Sequence, residues 1–111
     1  MYPKAIAERY FAAIRARNIN DLMALYADDA TLVLPNGKES KGAAAIRETH
    51  QGVFNAASPT PLPQAMIVGD TAIAVEIEAR MPDGTSRRTA NFFHLNSQAR
   101  IQRLSVYMRS G

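Results

Sequence analysis

Apolar residues recur every three or four positions in the first half of the chain and every second position in the last half. This divides it into a helical part and a strand-forming part. Pro3 suits the first turn of a helix, where its missing N–H costs nothing. Ile6, Tyr10 and Ile14, with Phe11 beside them, then form one apolar stripe through about Arg17. Asn20 is placed to cap a second helix, with Ile19 stapling back onto it, Leu22, Leu25 and Tyr26 on its buried side, and Asp28-Asp29 ending it. ATLVL (30–34) reads as a short strand, stopped by the turn Pro35-Asn36-Gly37. A third helix is predicted from about Gly42 to Asn55, with Ile46, His50, Val53 and Phe54 on one face. Pro59, Pro61 and Pro63 keep the following stretch extended.

QAMIVG (64–69), TAIAVEIEARM (71–81), SRRTANFFHL (86–95) and RIQRLSVYMR (100–109) read as four strands joined by short turns. Pro82-Asp83-Gly84 is a tight hairpin turn. If Met81 pairs with Thr85, Val75 lies opposite Asn91, Ile77 opposite Thr89 and Glu78 opposite Arg88. One face then holds Ile73, Val75, Ile77, Thr89, Asn91, Leu104, Val106 and Met108; the other collects Phe92, His94, Ile101, Arg103 and Tyr107. Glu76, Glu78 and Arg88 share that second face, and Arg87 points inward at the rim. Both faces are partly apolar, so one must cover the helices and the other needs a partner. Helices followed by an antiparallel sheet make an α+β architecture.

At 111 residues the chain has room for one domain, 1–111, and 47% apolar with 21% charged residues is ordinary globular composition. Much of the apolar share is alanine, so the core should be modest and some apolar surface covered by a second chain. The absence of cysteine excludes a disulfide scaffold, a thiol nucleophile and Cys-ligated metals. MYPKAIAERYF is charged too early for a signal peptide, and AMIV (65–68) is far too short to span a bilayer, so a soluble, cytoplasmic protein is expected. The net charge is +3, with six arginines against one acid, Asp83, from Arg80 onward. On strands these pair across the sheet rather than forming a nucleic-acid surface. No His/Asp/Glu spacing suggests a metal site, and neither a Gly-rich phosphate loop nor a GxSxG elbow is present.

AERYFAAI (7–14), NINDLMALYADDATLVLPNG (18–37) and KGAAAIRE (41–48), with weaker agreement in TANFFHL and ARIQRLSVYM, resemble the ketosteroid isomerase branch of the nuclear transport factor 2-like superfamily, which includes the SnoaL-like cyclases. The resemblance implies a cone-shaped, cystatin-like fold: three N-terminal helices packed on a strongly curved sheet around an apolar pocket. It also implies a homodimer through the outer sheet face, the use expected here for Phe92, His94, Ile101 and Tyr107. In the isomerases a carboxylate moves a proton between two carbons, while a tyrosine and a protonated aspartic acid hold the developing oxyanion. The tyrosine falls on Tyr10, two supporting tyrosines fall on Tyr26 and His50, and the aspartic acid falls on Asn91. The general base falls on Leu34, which cannot accept a proton.

Asn91 can still donate to an oxyanion, and it needs no raised pKa to do so. The resemblance therefore implies a pocket for a small steroid- or polyketide-like carbonyl compound. Its oxyanion donors are Tyr10 and Asn91, and His50 is the candidate base. Tyr26, Leu34, Phe54, Val75, Val106 and Met108 are expected around the ligand. No cofactor is expected. The Asp–Arg–Asp set of the related epoxide hydrolases finds no counterpart. Two other readings stay open: a binder that lost proton transfer with Leu34, and an association module working through the outer sheet face.

Overall fold

The computed structural model describes residues 3–56 and 59–109; the two ends of the expected 1–111 domain lie outside the described residues. Helix α1 (Pro3–Ala16) begins at its proline and ends where Arg17 turns left-handed at φ 53°. There Asn18 N donates to Ala13 O at 2.9 Å and Arg17 N to Ile14 O at 3.1 Å, which satisfies two of the helix's last carbonyls. Helix α2 (Ile19–Met23) starts immediately afterwards. Its cap is Asn18, not Asn20: Asn18 Oδ1 accepts from Asp21 N at 3.0 Å. With Ile19 already inside the helix, the expected staple does not form. Asn20 instead accepts from Arg47 Nη2 at 2.8 Å, tying α2 to the third helix.

Strand β1 (Tyr26–Val33) begins four residues before the expected start and takes in Asp28 and Asp29. The turn at Pro35–Gly37 leads to a short unforeseen strand, β2 (Glu39–Lys41), and then to α3 (Ala43–Asn55). Gly42 caps α3 at φ 87°, a left-handed conformation that strains any residue with a Cβ. Strands β3 (Thr60–Val68), β4 (Ala72–Arg80), β5 (Ser86–Leu95) and β6 (Ile101–Arg109) complete the chain. The prolines at 61 and 63 lie inside β3, which is tolerable because β3 is an edge strand and one row of its backbone groups has no neighbour.

The sheet order is β2-β1-β6-β5-β4-β3, and every pairing is antiparallel except β1 beside β6. The hairpin register is the one the turn dictated: Val75 opposite Asn91, Ile77 opposite Thr89 and Glu78 opposite Arg88. One expectation fails. Between His94↔Arg103 and Leu95↔Ile101 the register slips by one residue, so Gln102 is the extra residue of a bulge. Ile101 turns inward and is fully buried in the core instead of joining the outer face. Gln102 Nε2 reaches across to Asp29 Oδ1 at 3.0 Å, where β1 has its own register shift.

The helices lie on one face of the curved sheet, α1 over β3 and β4 and α3 over β1 and β2. Ile6, Phe11, Leu22, Leu32, Ile46, Ile73, Val75, Phe93 and Leu104 fill the space between the layers. The middle strands, β5 and β6, lie beneath the gap between α1 and α3.

Candidate functional site

A cavity of about 280 Å³ opens in that gap. Tyr10 and Ile14 come to it from the apolar stripe of α1, and His50, Val53 and Phe54 from α3. Leu32, Leu34 and Pro35 come from β1 and the turn after it, Ile77 and Ala79 from β4, Thr89 and Asn91 from β5, and Val106 from β6. Among the described residues no lining side chain is an aspartate, glutamate, lysine or arginine. The titratable groups in the wall are Tyr10 and His50.

These two are held differently. His50 Nε2 and Tyr26 Oη share a hydrogen bond of 2.9 Å deep in the core. Tyr10 packs its ring edge-on against Phe93, with centroids 5.1 Å apart, and against His50 at 6.1 Å. Burial drives the Tyr10 hydroxyl well above its ordinary range, with the Tyr26 hydroxyl, a hydrogen-bonding neighbour, pulling it partway back. Tyr26 is raised still more firmly, by burial first and by Tyr10 second. Burial lowers His50 to about 4, because an imidazolium here would lose its water. At neutral pH all three groups are uncharged. The Tyr26–His50 bond has two forms: with Tyr26 donating, Nδ1 of His50 carries the proton; with Nε2 donating, the Nδ1 lone pair is free.

Asn91 is 5% exposed, and its amide bonds to no described side chain or backbone group. It is not sealed off, because among the described residues no buried polar side-chain atom is left without a partner; the amide opens onto the cavity. Strand parity puts it there, on the same side of β5 as Thr89 and Phe93. A buried amide facing an apolar void is costly unless a ligand or water occupies it.

Of the residues expected around a ligand, Tyr10, His50, Asn91, Leu34, Phe54 and Val106 line the cavity. Tyr26 does not; it stands behind His50 and reaches the wall through it. Val75 is also not in the wall, although it sits opposite Asn91, because α1 crosses β4 and seals it into the core. Met108 keeps the inward parity but pairs with Thr89 near the open end of the sheet, where it is 44% exposed. Thr49, Pro59 and Pro61 join the wall without a signal in the sequence pattern, whereas Ile14 and Thr89 could have been found by extending the periods of Tyr10 and Asn91. A larger groove, about 730 Å³, runs outside the cone between α1, α2 and the β5–β6 loop. Its polar residues, Arg9, Asp21, Gln98 and Arg100, are all solvent-exposed, and the buried residues that line it, Ile6, Ala13 and Leu25, are apolar.

Beneath the sheet, Phe92 and Tyr107 are 41% and 59% exposed and meet edge-to-face at 5.5 Å, beside exposed His94 and Arg103. Among the described residues no cluster of three His, Cys, Asp or Glu is arranged to hold a metal, and no helix is long and apolar enough to cross a membrane.

Helices capping one face of a curved sheet, with a pocket between them, define the cystatin-like class of α+β folds. A protein described with that fold, from Methylobium petroleophilum, superposes with a TM-score of 0.86 at 14% identity, covering 98% of this chain and 76% of that one. Residues 7–104 match the SnoaL-like domain, and the chain belongs to that family. Among solved structures, a Kribbella flavida protein named for a proposed ketosteroid isomerase activity aligns at TM-score 0.89 and 17% identity, over 98% of this chain and 78% of that one. The epoxide hydrolase/cyclase-like enzyme of pyran ring formation in salinomycin aligns at 0.83 and 21% identity, over 96% and 90%. At these identities the likeness is one of fold.

Proposed function

We propose that the cavity binds a small, largely apolar carbonyl compound and supports isomerase- or cyclase-type proton transfer without a cofactor. The observation that carries this is that two uncharged donors, Tyr10 and Asn91, both buried, line one cavity whose described wall holds no charged side chain. A carbonyl oxygen seated between them would gain two hydrogen bonds as negative charge develops on it, and one such donor contributes roughly 10²–10³ in rate. The proton leaving the adjacent carbon would pass to His50 and return to a different carbon. His50 is the group in the wall able to take it, since Leu34 stands where the resemblance expects a carboxylate. Burial makes His50 about as basic as a carboxylate, which suits it to a transient proton. The cavity lies at the small end of the range for ordinary ligands, about 300 Å³ upward, and favours a compact molecule.

A second reading rests on Leu34 itself: with the base gone, the same wall serves as a binding pocket without chemistry. A spectroscopic isomerisation assay on an unconjugated cyclic enone precursor separates the two. Turnover by the wild type that falls by roughly 10²–10⁴ in His50→Ala supports the catalytic reading. A silent wild type beside an active Leu34→Asp supports the binder, and silence in both, with no ligand retained, overturns the pocket. The outer sheet face, through Phe92, His94 and Tyr107, is read as the contact for a second copy, since exposed aromatic pairs of this kind belong to interfaces.

A further inference from the structure

The inner face of the sheet passes from sealed to open in one direction. Along β5, Phe93 is fully buried, Asn91 nearly so, Thr89 half-buried and Arg87 exposed. The neighbouring strand β6 repeats the gradient, from buried Leu104 to exposed Met108. The open end of the cavity therefore lies toward the β4–β5 hairpin. Arg87 is not itself in the wall; it lies opposite Ala79 and one inward step beyond Thr89, both of which line it. Arg80, Arg88, Arg103 and Arg109 fall on the other face by the same register, so Arg87 is the one cation that β4–β6 place on the cavity side.

Among the described residues the Arg87 guanidinium donates to no carboxylate, although its charge adds to the hydrogen bonds from Thr85 in holding the exposed Asp83 carboxyl below its ordinary range. Nη1 makes one weak contact, to Met108 Sδ at 3.9 Å. Asp83, the neighbouring acid, is occupied by the hairpin, accepting from Thr85 N at 2.9 Å and Thr85 Oγ1 at 2.6 Å. At about 3.3 Å per strand residue, the Arg87 backbone lies about 13 Å from that of Asn91, and an arginine side chain shortens this to the length of a two-ring molecule.

We propose that Arg87 is a specificity residue, receiving the carboxylate of a ligand whose carbonyl or enolic oxygen is held by Tyr10 and Asn91. The ligand class is thereby a compact oxo- or hydroxy-carboxylate with its polar groups at opposite ends and an apolar body between. This rests on the cavity reading above, to which it adds the second anchor. A charge on the ligand has no counter-charge inside the wall, so it must sit at the mouth, where arginine can pair with it in a forked geometry.

Two fluorescent probes test it, and the chain has no tryptophan to mask them: 2-naphthol and 6-hydroxy-2-naphthoate, which differ by the carboxylate. At low salt and pH 7 the wild type is expected to bind the naphthoate about threefold to tenfold more tightly, with the ratio shrinking as salt rises. Arg87→Gln should bring the ratio to about one, and Arg87→Glu below one. A ratio of one in the wild type, or an unchanged ratio in Arg87→Gln, overturns the assignment. Tyr10→Phe and Asn91→Leu keep the two readings apart. If they weaken both probes while Arg87→Gln leaves the ratio alone, only the role of Arg87 fails. If they weaken neither probe, the cavity reading fails and takes this one with it.

Discussion

Asn91 and Phe92 are neighbours on β5, yet each is the wrong polarity for the layer it occupies. Asn91 is a polar residue pointed into an apolar layer, at 5% exposure, and Phe92 is an aromatic pointed toward solvent, at 41%. The two faces of one strand differ because α1 and α3 cover the first and no described helix covers the second. On the covered face the amide has no partner among the described residues and opens onto the cavity; on the open face the aromatic pair stands in solvent. Residues that agree with their layer, such as Phe93 or Arg88, report only on folding and solubility.

The largest effect that sharpens this contrast is on stability. Phe93→Ala removes a fully buried ring that holds Tyr10 and Phe11 in place, and should cost about 3–5 kcal/mol in chemical denaturation. Phe92→Ala should leave protomer stability within about 0.5 kcal/mol and instead weaken self-association in sedimentation. A stable monomer that is indifferent to Phe92 would remove the outer face from the comparison.

Next comes pH. Burial lowers His50 from 6.5 to about 4, so the unfolded chain binds the proton more readily. Its contribution to stability is complete above about pH 6.5 and is lost as pH falls toward 4, a change of about 3 kcal/mol. His50→Gln should flatten the stability profile across that window. An identical slope in the variant would mean that His50 is hydrated and the inner face wetter than its packing implies.

The smallest effect has the opposite sign. Asn91→Leu removes from the apolar layer an amide that has no partner among the described residues, and should stabilise the protein by about 1 kcal/mol while weakening binding of the two probes. Destabilisation by Asn91→Leu would show that the amide has a structural partner and break the distinction between the faces.

Much of this was legible beforehand. Pro82-Asp83-Gly84 set the β4–β5 register, and register alone put Asn91 on the covered face and Phe92 on the other, because side chains alternate with a period of two. The stripe Ile6–Tyr10–Ile14 likewise placed Tyr10 inward. Ile101 was misread for the same reason: parity carried across a loop assumes an unbroken ladder, and one extra residue at Gln102 reverses it. The Asn18 cap was missed because Asn18 and Asn20 are equally good caps in isolation. The choice was made by the left-handed turn at Arg17, which closes α1 and opens α2 over three residues.

The sequence by itself determined the three helices, the β4–β5 register and which side chains of that hairpin face inward, since these follow from local period and turn chemistry. Only the tertiary structure decided which inward residues meet a cavity. Tyr26, Val75 and Met108 all have the correct parity, but one is screened by His50, one is sealed beneath α1 and one lies beyond the helices' cover. Whether an inward residue lines a pocket depends on where two helices part above the sheet. That position is set by contacts between residues far apart in the chain, and no periodicity records it.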